Sequence, residues 1–134
     1  MRFLQRTKDG GKDSTVDAFF LFEIKGFASI ALLRFNKGSR DNFHSHAFNA
    51  RTWFLFGDMQ EEVKCVNGYT RKYKRSLLGK YTPWDTLHKV FAHKTSWCFT
   101  VRGKWRPTWE EYNEDTGDLT TLSYGRKIVS VDKS

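Results

Sequence analysis

Short apolar runs separated by turn-forming residues follow one another along the chain, and this pattern restricts the fold more than any other feature of the sequence. The run from Val16 to Lys25 ends at Gly26, and the run from Phe27 to Phe35 ends at Asn36-Lys37-Gly38-Ser39. Runs of this length, rich in aromatic and β-branched residues and bounded by Gly, Asn or Pro, indicate β-strands. We therefore predict an all-β fold, with a single helical turn at most, within Trp84 to Val90.

Further strands are predicted from the same pattern at Phe43 to His46, Arg51 to Phe56, Met59 to Val66, Tyr69 to Arg75, His88 to Ala92, Ser96 to Val101, Trp105 to Tyr112, Leu119 to Tyr124 and Ile128 to Val131. Gly57-Asp58 ends one of these runs, and Asn67-Gly68 favours a hairpin because both residues tolerate positive φ. A length of 134 residues fits one domain. We assign residues 1–15 to an N-terminal arm and residues 16–134 to a single barrel domain.

The excess of basic residues indicates an anionic partner. The net charge is +8 and the pI is near 9.6, which suits nucleic acid, nucleotides or acidic metabolites. The alternative is that Lys and Arg only keep an aromatic-rich chain soluble.

The sequence also carries information about the compartment. No apolar run approaches the ~20 residues that cross a bilayer, and the first residues lack the apolar stretch of a secretory signal. Cys65 and Cys98 are too few for a disulfide framework. These features predict a cytoplasmic protein without a membrane partner.

His44 and His46 are the first candidates for a chemical role. Residues two apart in a strand point to the same face, and two adjacent imidazoles suit Zn, Fe, Ni, Cu or Mn. Taken alone, such a pair is more often exposed or hydrogen-bonded than metal-binding.

The spacing around this pair resembles the cupin family, whose first motif reads G-(x)5-H-x-H-(x)3-E-(x)6-G. Gly38, His44, His46 and Gly57 stand in register with that motif, and Ala50 replaces its glutamate. The second cupin motif reads G-(x)5-P-x-G-(x)2-H-(x)3-N.

Aligned on His88, the second motif keeps its proline as Pro83. Leu77, Asp85 and Ala92 replace its two glycines and its asparagine, so this half departs further from the pattern. The resemblance implies a double-stranded β-helix, or jelly-roll barrel, with His44, His46 and His88 as metal ligands. A looser likeness is to small cupin-like proteins often encoded by bacteriophages, which implies no established activity and would place the protein in a host cytoplasm.

The missing glutamate changes the expected chemistry. Position 50 shares the parity of positions 44 and 46, so we expect Ala50 to face the same interior. The ligand set is then three neutral imidazoles, as in three-histidine cupins such as thiol dioxygenases, and not a two-histidine, one-carboxylate triad. A divalent transition metal, iron or zinc, would keep its full charge and favour an anionic substrate.

Four further residues are candidates for binding that substrate: Arg51, Arg102, Arg106 and Tyr69. Arginine at a barrel mouth can bind a carboxylate or phosphate through two hydrogen bonds, although each single residue is more often solvent-exposed. His93 has the wrong strand parity for a ligand and is expected at the rim. Cys98 is expected to be a small apolar core residue.

Three functions are compatible with these residues. The first is a metal-dependent, dioxygenase-like enzyme or lyase acting on a small anionic molecule in the barrel. The second is a non-catalytic cupin that sequesters a nucleotide or sugar phosphate. The third is a nucleic-acid-binding module, since residues 101–112 interleave basic and aromatic side chains. Family resemblance also implies a homodimer.

Overall fold

The computed structural model of the chain describes residues 2–9, 14–39, 42–64 and 68–133. The described residues form twelve strands. Their bounds are β1 (Arg2–Lys8), β2 (Val16–Ile24), β3 (Ala28–Phe35), β4 (Gly38–Ser39), β5 (Phe43–His44), β6 (Ala50–Val63), β7 (Tyr69–Lys72), β8 (Lys80–Thr82), β9 (His88–Arg102), β10 (Thr108–Tyr112), β11 (Leu119–Ser123) and β12 (Lys127–Asp132). One 3-10 turn, Tyr124–Arg126, joins β11 to β12. The all-β prediction is confirmed.

Strand β9 is the central element of the fold. One edge pairs antiparallel with β6, from Ala50 opposite Arg102 to Val63 opposite His88. The other edge pairs in succession with β3, β4 and β5. In the last of these pairings His44 lies opposite His88, so the register of β5 on β9 sets two histidines side by side.

Strands β1 and β2 continue the sheet from β3, and β10, β11 and β12 continue it from β5, in the order β1-β2-β3-β9-β5-β10-β11-β12, while β7 and β8 pair with β6. The largest buried cluster lies between β2, β3, β6 and β9 and contains Val16, Ala18, Phe20, Ala31, Leu33, Met59, Val90, Ala92 and Cys98. Burying a large apolar side chain of this kind contributes about 1.5–3 kcal/mol. No helix in the described part of the chain is long and apolar enough to cross a bilayer.

Two predicted strand pairs are single long strands in the structure, and these predictions were wrong. Residues 51–56 and 59–66 were separated at Gly57-Asp58, whereas β6 continues through this point with register shifts. Gly57 has a φ of 123°, and a Cβ there would lie 2.2 Å from Oγ of Ser96. The glycine is therefore a bulge that lets β9 approach closely, and not a turn. The break predicted between Ala92 and Ser96 is likewise absent from β9.

Other boundaries also differ from the prediction. Strands β1 and β8 were not predicted. Strand β10 begins at Thr108 and not at Trp105, whose backbone N–H is donated to the carbonyl of Lys25. The segment from Trp84 to Val90 contains no helix. A turn stands there instead, closed by the N–H of Thr86, which is donated to the carbonyl of Pro83. Strands β6 and β7 pair as a hairpin from Val63 opposite Tyr69; Cys65 and Asn67 lie outside the described residues.

Candidate metal centre

Three histidines converge in the interior of the fold. His44, His46 and His88 each offer one ring nitrogen, and these nitrogens lie within 4.8 Å of one another. Nε2 of His46 and Nε2 of His88 are 3.0 Å apart. His44 and His88 are almost fully buried. This set is called the histidine cluster below.

Local backbone contacts bring the histidine cluster together. His44 ends β5 and His88 begins β9, so their pairing fixes the distance between the two backbones. Ser45 donates its N–H to the carbonyl of Glu110, and its Oγ accepts the N–H of Glu110. The chain is thereby fixed to β10 directly before His46, whose N–H is donated to the carbonyl of Trp84.

Glu61 is the carboxylate behind the cluster, and it was missed in the sequence. Its side chain on β6 is 1% exposed, and Oε2 lies 2.7 Å from Nδ1 of His88. Nε of Arg71 lies 2.7 Å from Oε1, and Nζ of Lys80 lies 2.5 Å from Oε2. Burial on its own raises the pKa of Glu61, but the hydrogen bond from His88 and the charge of Lys80 lower that pKa well below its ordinary value. Glu61 is therefore a carboxylate that only accepts, so Nδ1 of His88 is the donor.

The orientation of the imidazoles fits a metal. With Nδ1 of His88 bonded to Glu61, the neutral form of this ring has its lone pair on Nε2, on the side of His46. Nitrogens about 2.1 Å from one ion lie about 3.0–3.4 Å apart at octahedral or tetrahedral angles. The His46–His88 distance of 3.0 Å matches this range, and the full set, within 4.8 Å, is wider. Three imidazoles and no carboxylate suit zinc or iron.

An inner cavity of about 50 Å³ adjoins the histidine cluster. Ala50 lines it together with all three histidines, as the parity of the motif predicts. Thr52, Thr82 and Thr100 add hydroxyl groups, and Lys80 and Tyr73 add an ammonium and a phenol. Burial and the charge of Glu61 raise the pKa of Tyr73 well above its ordinary value, so its hydroxyl keeps its proton.

Arg102 is the buried cation of the inner cavity. Its side chain is 4% exposed, and its two Nη atoms donate to the carboxylate of Asp9 over 2.6 and 3.3 Å. The guanidinium also lies 4.8 Å from the ring centre of Phe48. Asp9 follows β1 and is fixed there because its N–H is donated to Val16.

This arrangement was compared with known proteins. No protein-family model matches the sequence, and no curated protein matches it. A sugar phosphate isomerase of the cupin superfamily from Silicibacter pomeroyi matches in structure over 98% of this chain and 88% of its own, at a TM-score of 0.63 and 12% identity. An acetylacetone dioxygenase from Acinetobacter johnsonii matches over 96% and 78%, at 0.54 and 17%. Fe(II)-HppE matches over 73% and 55%, at 0.58 and 12%.

The chain has the cupin fold. At these identities the likeness concerns the double-stranded β-helix alone. The histidine cluster of this chain lies where β5, β6 and β9 meet, and the motif positions of His44, His46 and Ala50 all reach the interior.

The four candidate substrate-binding residues are not brought together in this structure. Arg102 is the member that lines the inner cavity. Arg51 is exposed and donates to the carbonyl of Leu78. Arg106 is exposed and lies 3.7 Å from the ring centre of Trp84. Tyr69 is 47% exposed at the start of β7.

His93 and Cys98 lie where the sequence predicts, at the surface and in the core. His93 is exposed on β9 and contacts Oε1 of Gln60. Cys98 is fully buried in the core beside the sulfur of Met59, and burial raises the pKa of its thiol to about 12.

Proposed function

We propose that this cupin is a metal-dependent enzyme, of the oxygenase or lyase type, that acts on an anionic substrate beside His44, His46 and His88. The observation that carries the proposal is the convergence of the histidine cluster and Arg102 on one cavity. A bound divalent transition metal would supply Lewis-acid or redox chemistry at its open coordination positions. The Fe(II) of HppE and the dioxygenase activity of the Acinetobacter protein favour iron.

The chain's own residues would position the metal and the substrate. Glu61 holds the ring of His88 in one orientation, which pre-organises the site. The three imidazoles bring no negative charge, so a bound metal would favour an anion, and Arg102 is a second cation of the cavity that is already paired with Asp9. The neutral hydroxyl of Tyr73, which lines the same cavity, donates to Oε2 of Glu61 over 3.4 Å and accepts from Nζ of Lys80 over 3.1 Å, so it helps to position both side chains.

The nucleic-acid alternative receives less support from the side chains of residues 101–112. A stacking platform requires cations and aromatic rings on one exposed face. Arg102 is buried instead, and Trp109 is half-buried in the wall of a groove.

Turnover measurements test the proposal. Protein loaded with Fe(II) is incubated with panels of small carboxylic acids and organic phosphates, while oxygen consumption and product masses are followed. We expect a substrate whose turnover is lost in His46→Ala and kept in His93→Ala, the matched change at an exposed histidine. Metal-dependent binding of an anion without any turnover would instead support the sequestering cupin.

A further inference from the structure

A second and larger cavity opens beside the histidine cluster. This outer groove has a volume of about 560 Å³ and shares His44, His46, Phe48 and Asp9 with the inner cavity. Cavities of about 300–1,000 Å³ accommodate ligands of drug size. A small acid bound at the metal would leave most of the outer groove empty, which indicates a larger ligand.

An aromatic wall runs along the outer groove from the histidines outward. Phe48 stacks on His46 with ring centres 5.1 Å apart, and Trp105 follows at 5.5 Å from Phe48. Trp109 lies edge-on to Trp105 at 5.7 Å. Flat rings of a ligand pack well against such walls, because aromatic groups attract one another in offset and edge-to-face arrangements.

The outer groove also contains more cations than carboxylates. Its lining includes Arg2, Lys8, Lys25 and Arg126 against Asp9 and Glu23. Glu23 forms an ion pair with Arg2. Lys8 is paired with Asp17 and Arg126 with Glu111.

Lys25 differs from the other cations of the groove. Within the described residues it forms no ion pair, and its Nζ lies 4.6 Å from the ring centre of Trp105 and 5.4 Å from that of Tyr124. An ammonium over ring faces keeps its hydrogen-bond donors, because those faces are weak acceptors. Its backbone carbonyl accepts the N–H of Trp105, which ties the cation to the aromatic wall.

We propose that the outer groove binds a ring-bearing organic phosphate of about mononucleotide size. The phosphate is bound by Lys25, with a second contact from the guanidinium donors of Arg126 that do not bind Glu111. The ring lies along Trp105 and Trp109 and leads toward His46. This inference rests on the proposed function, because the groove delivers the ligand to the same histidine cluster. It specifies the substrate as a flat, phosphorylated molecule.

Titration with two defined probes tests the inference. Phenyl phosphate and AMP are titrated into metal-free and metal-loaded protein by calorimetry, with the tryptophan fluorescence recorded in parallel. Adenosine and inorganic phosphate serve as half-ligands. We expect both probes to bind with a Kd below about 1 mM, and each half-ligand to bind at least about tenfold more weakly.

Matched variants locate the binding. Lys25→Gln should weaken both probes about tenfold, because it removes a charge-assisted hydrogen bond, while Lys94→Gln at an exposed lysine of β9 should not. Trp109→Leu should weaken the probes and reduce the fluorescence change, while Trp84→Leu should leave the affinity unchanged. Circular dichroism confirms that each variant is folded.

The outcomes separate this inference from the proposed function. Absence of binding by both probes, or binding unchanged by Lys25→Gln, overturns the inference even if the histidines bind metal. A twelve-residue oligothymidylate that binds far more tightly than AMP, unaffected by Lys25→Gln, also overturns it in favour of nucleic acid. Binding of AMP to protein that takes up no metal supports the groove and contradicts the enzyme.

Discussion

Nδ1 of His88 donates a hydrogen bond to Oε2 of Glu61 over 2.7 Å. Since Glu61 is also bonded to Lys80 and Arg71, this contact connects the histidine cluster to ion pairs of β7 and β8. A carboxylate behind a ligating imidazole fixes the ring and raises its basicity. The affinity of the proposed centre for a metal would therefore depend on a residue that does not face the metal.

Glu61→Gln is expected to weaken metal binding by about 10–100-fold, the usual effect of losing such a partner. The amide still accepts from His88, but it lacks the charge that Lys80 and Arg71 neutralise. Competition with a chelator measures the affinity, and Glu62→Gln, an exposed neighbour on β6, is the control. Equal metal affinities in both variants would show that Glu61 does not support metal binding.

Asp9→Asn is expected to destabilise the protein by about 2–5 kcal/mol, because Arg102 loses the carboxylate that accepts two of its hydrogen bonds. Thermal unfolding measures the loss. Formate should raise the Tm of the variant more than that of the parent protein, since a small carboxylate can replace the missing group. An unchanged Tm, or equal effects of formate on both proteins, would contradict an anion site at Arg102.

Cys98 is expected to be unreactive in the folded protein. Burial raises the pKa of its thiol to about 12, and the thiolate is the reactive form. In a Cys65→Ser background, a disulfide reagent at pH 8 should react at a negligible rate before unfolding and fully in guanidinium chloride. Rapid reaction of the folded protein would show that the cysteine is exposed or activated.

Asp17 is expected to make the fold sensitive to acid. The hydrogen bonds of Arg34 and Asn36 and the nearby charge of Lys8 hold the pKa of Asp17 well below its ordinary value. A depressed folded pKa stabilises the protein above the unfolded pKa of about 3.9 and loses this contribution as the pH falls below it.

Denaturant unfolding between pH 7 and pH 2.5 checks the expectation for Asp17. Asp17→Asn should lower the stability at pH 7 and flatten its fall below about pH 4, whereas Asp115→Asn in an exposed turn should follow the parent protein. If the free energy of unfolding of Asp17→Asn fell with pH in parallel with that of the parent protein, Asp17 would not be the source of the acid sensitivity.

The sequence predicts the histidines of the site better than the charged residues behind them. His44, His46 and Ala50 belong to one short segment, so strand parity alone places them on one face. Glu61 and Lys80 reach the site through the pairing of β6 with β8 and β9. No spacing within one strand encodes that pairing, and an isolated glutamate in an apolar run carries no local signal of its partner.

The fold shows the same distinction between local and long-range information. Alternating apolar residues predict β2 and β3 with nearly correct bounds. Gly57 has the composition of a turn, but the close approach of Ser96 from another strand makes it a bulge. Strand β1 escapes prediction because most of its residues are exposed at the edge of the sheet, so the alternation of an embedded strand is missing.

The measurement that tests the central claim most directly is the metal content of the purified chain and of three single variants. After dialysis against Fe(II) or Zn(II) and then against metal-free buffer, elemental analysis should find about one ion per chain in the parent protein, since one three-ligand site holds one ion. His46→Ala and His88→Ala should lose that ion, and His93→Ala should retain it. Full metal content in His46→Ala, or loss of metal in His93→Ala, would contradict a centre formed by His44, His46 and His88.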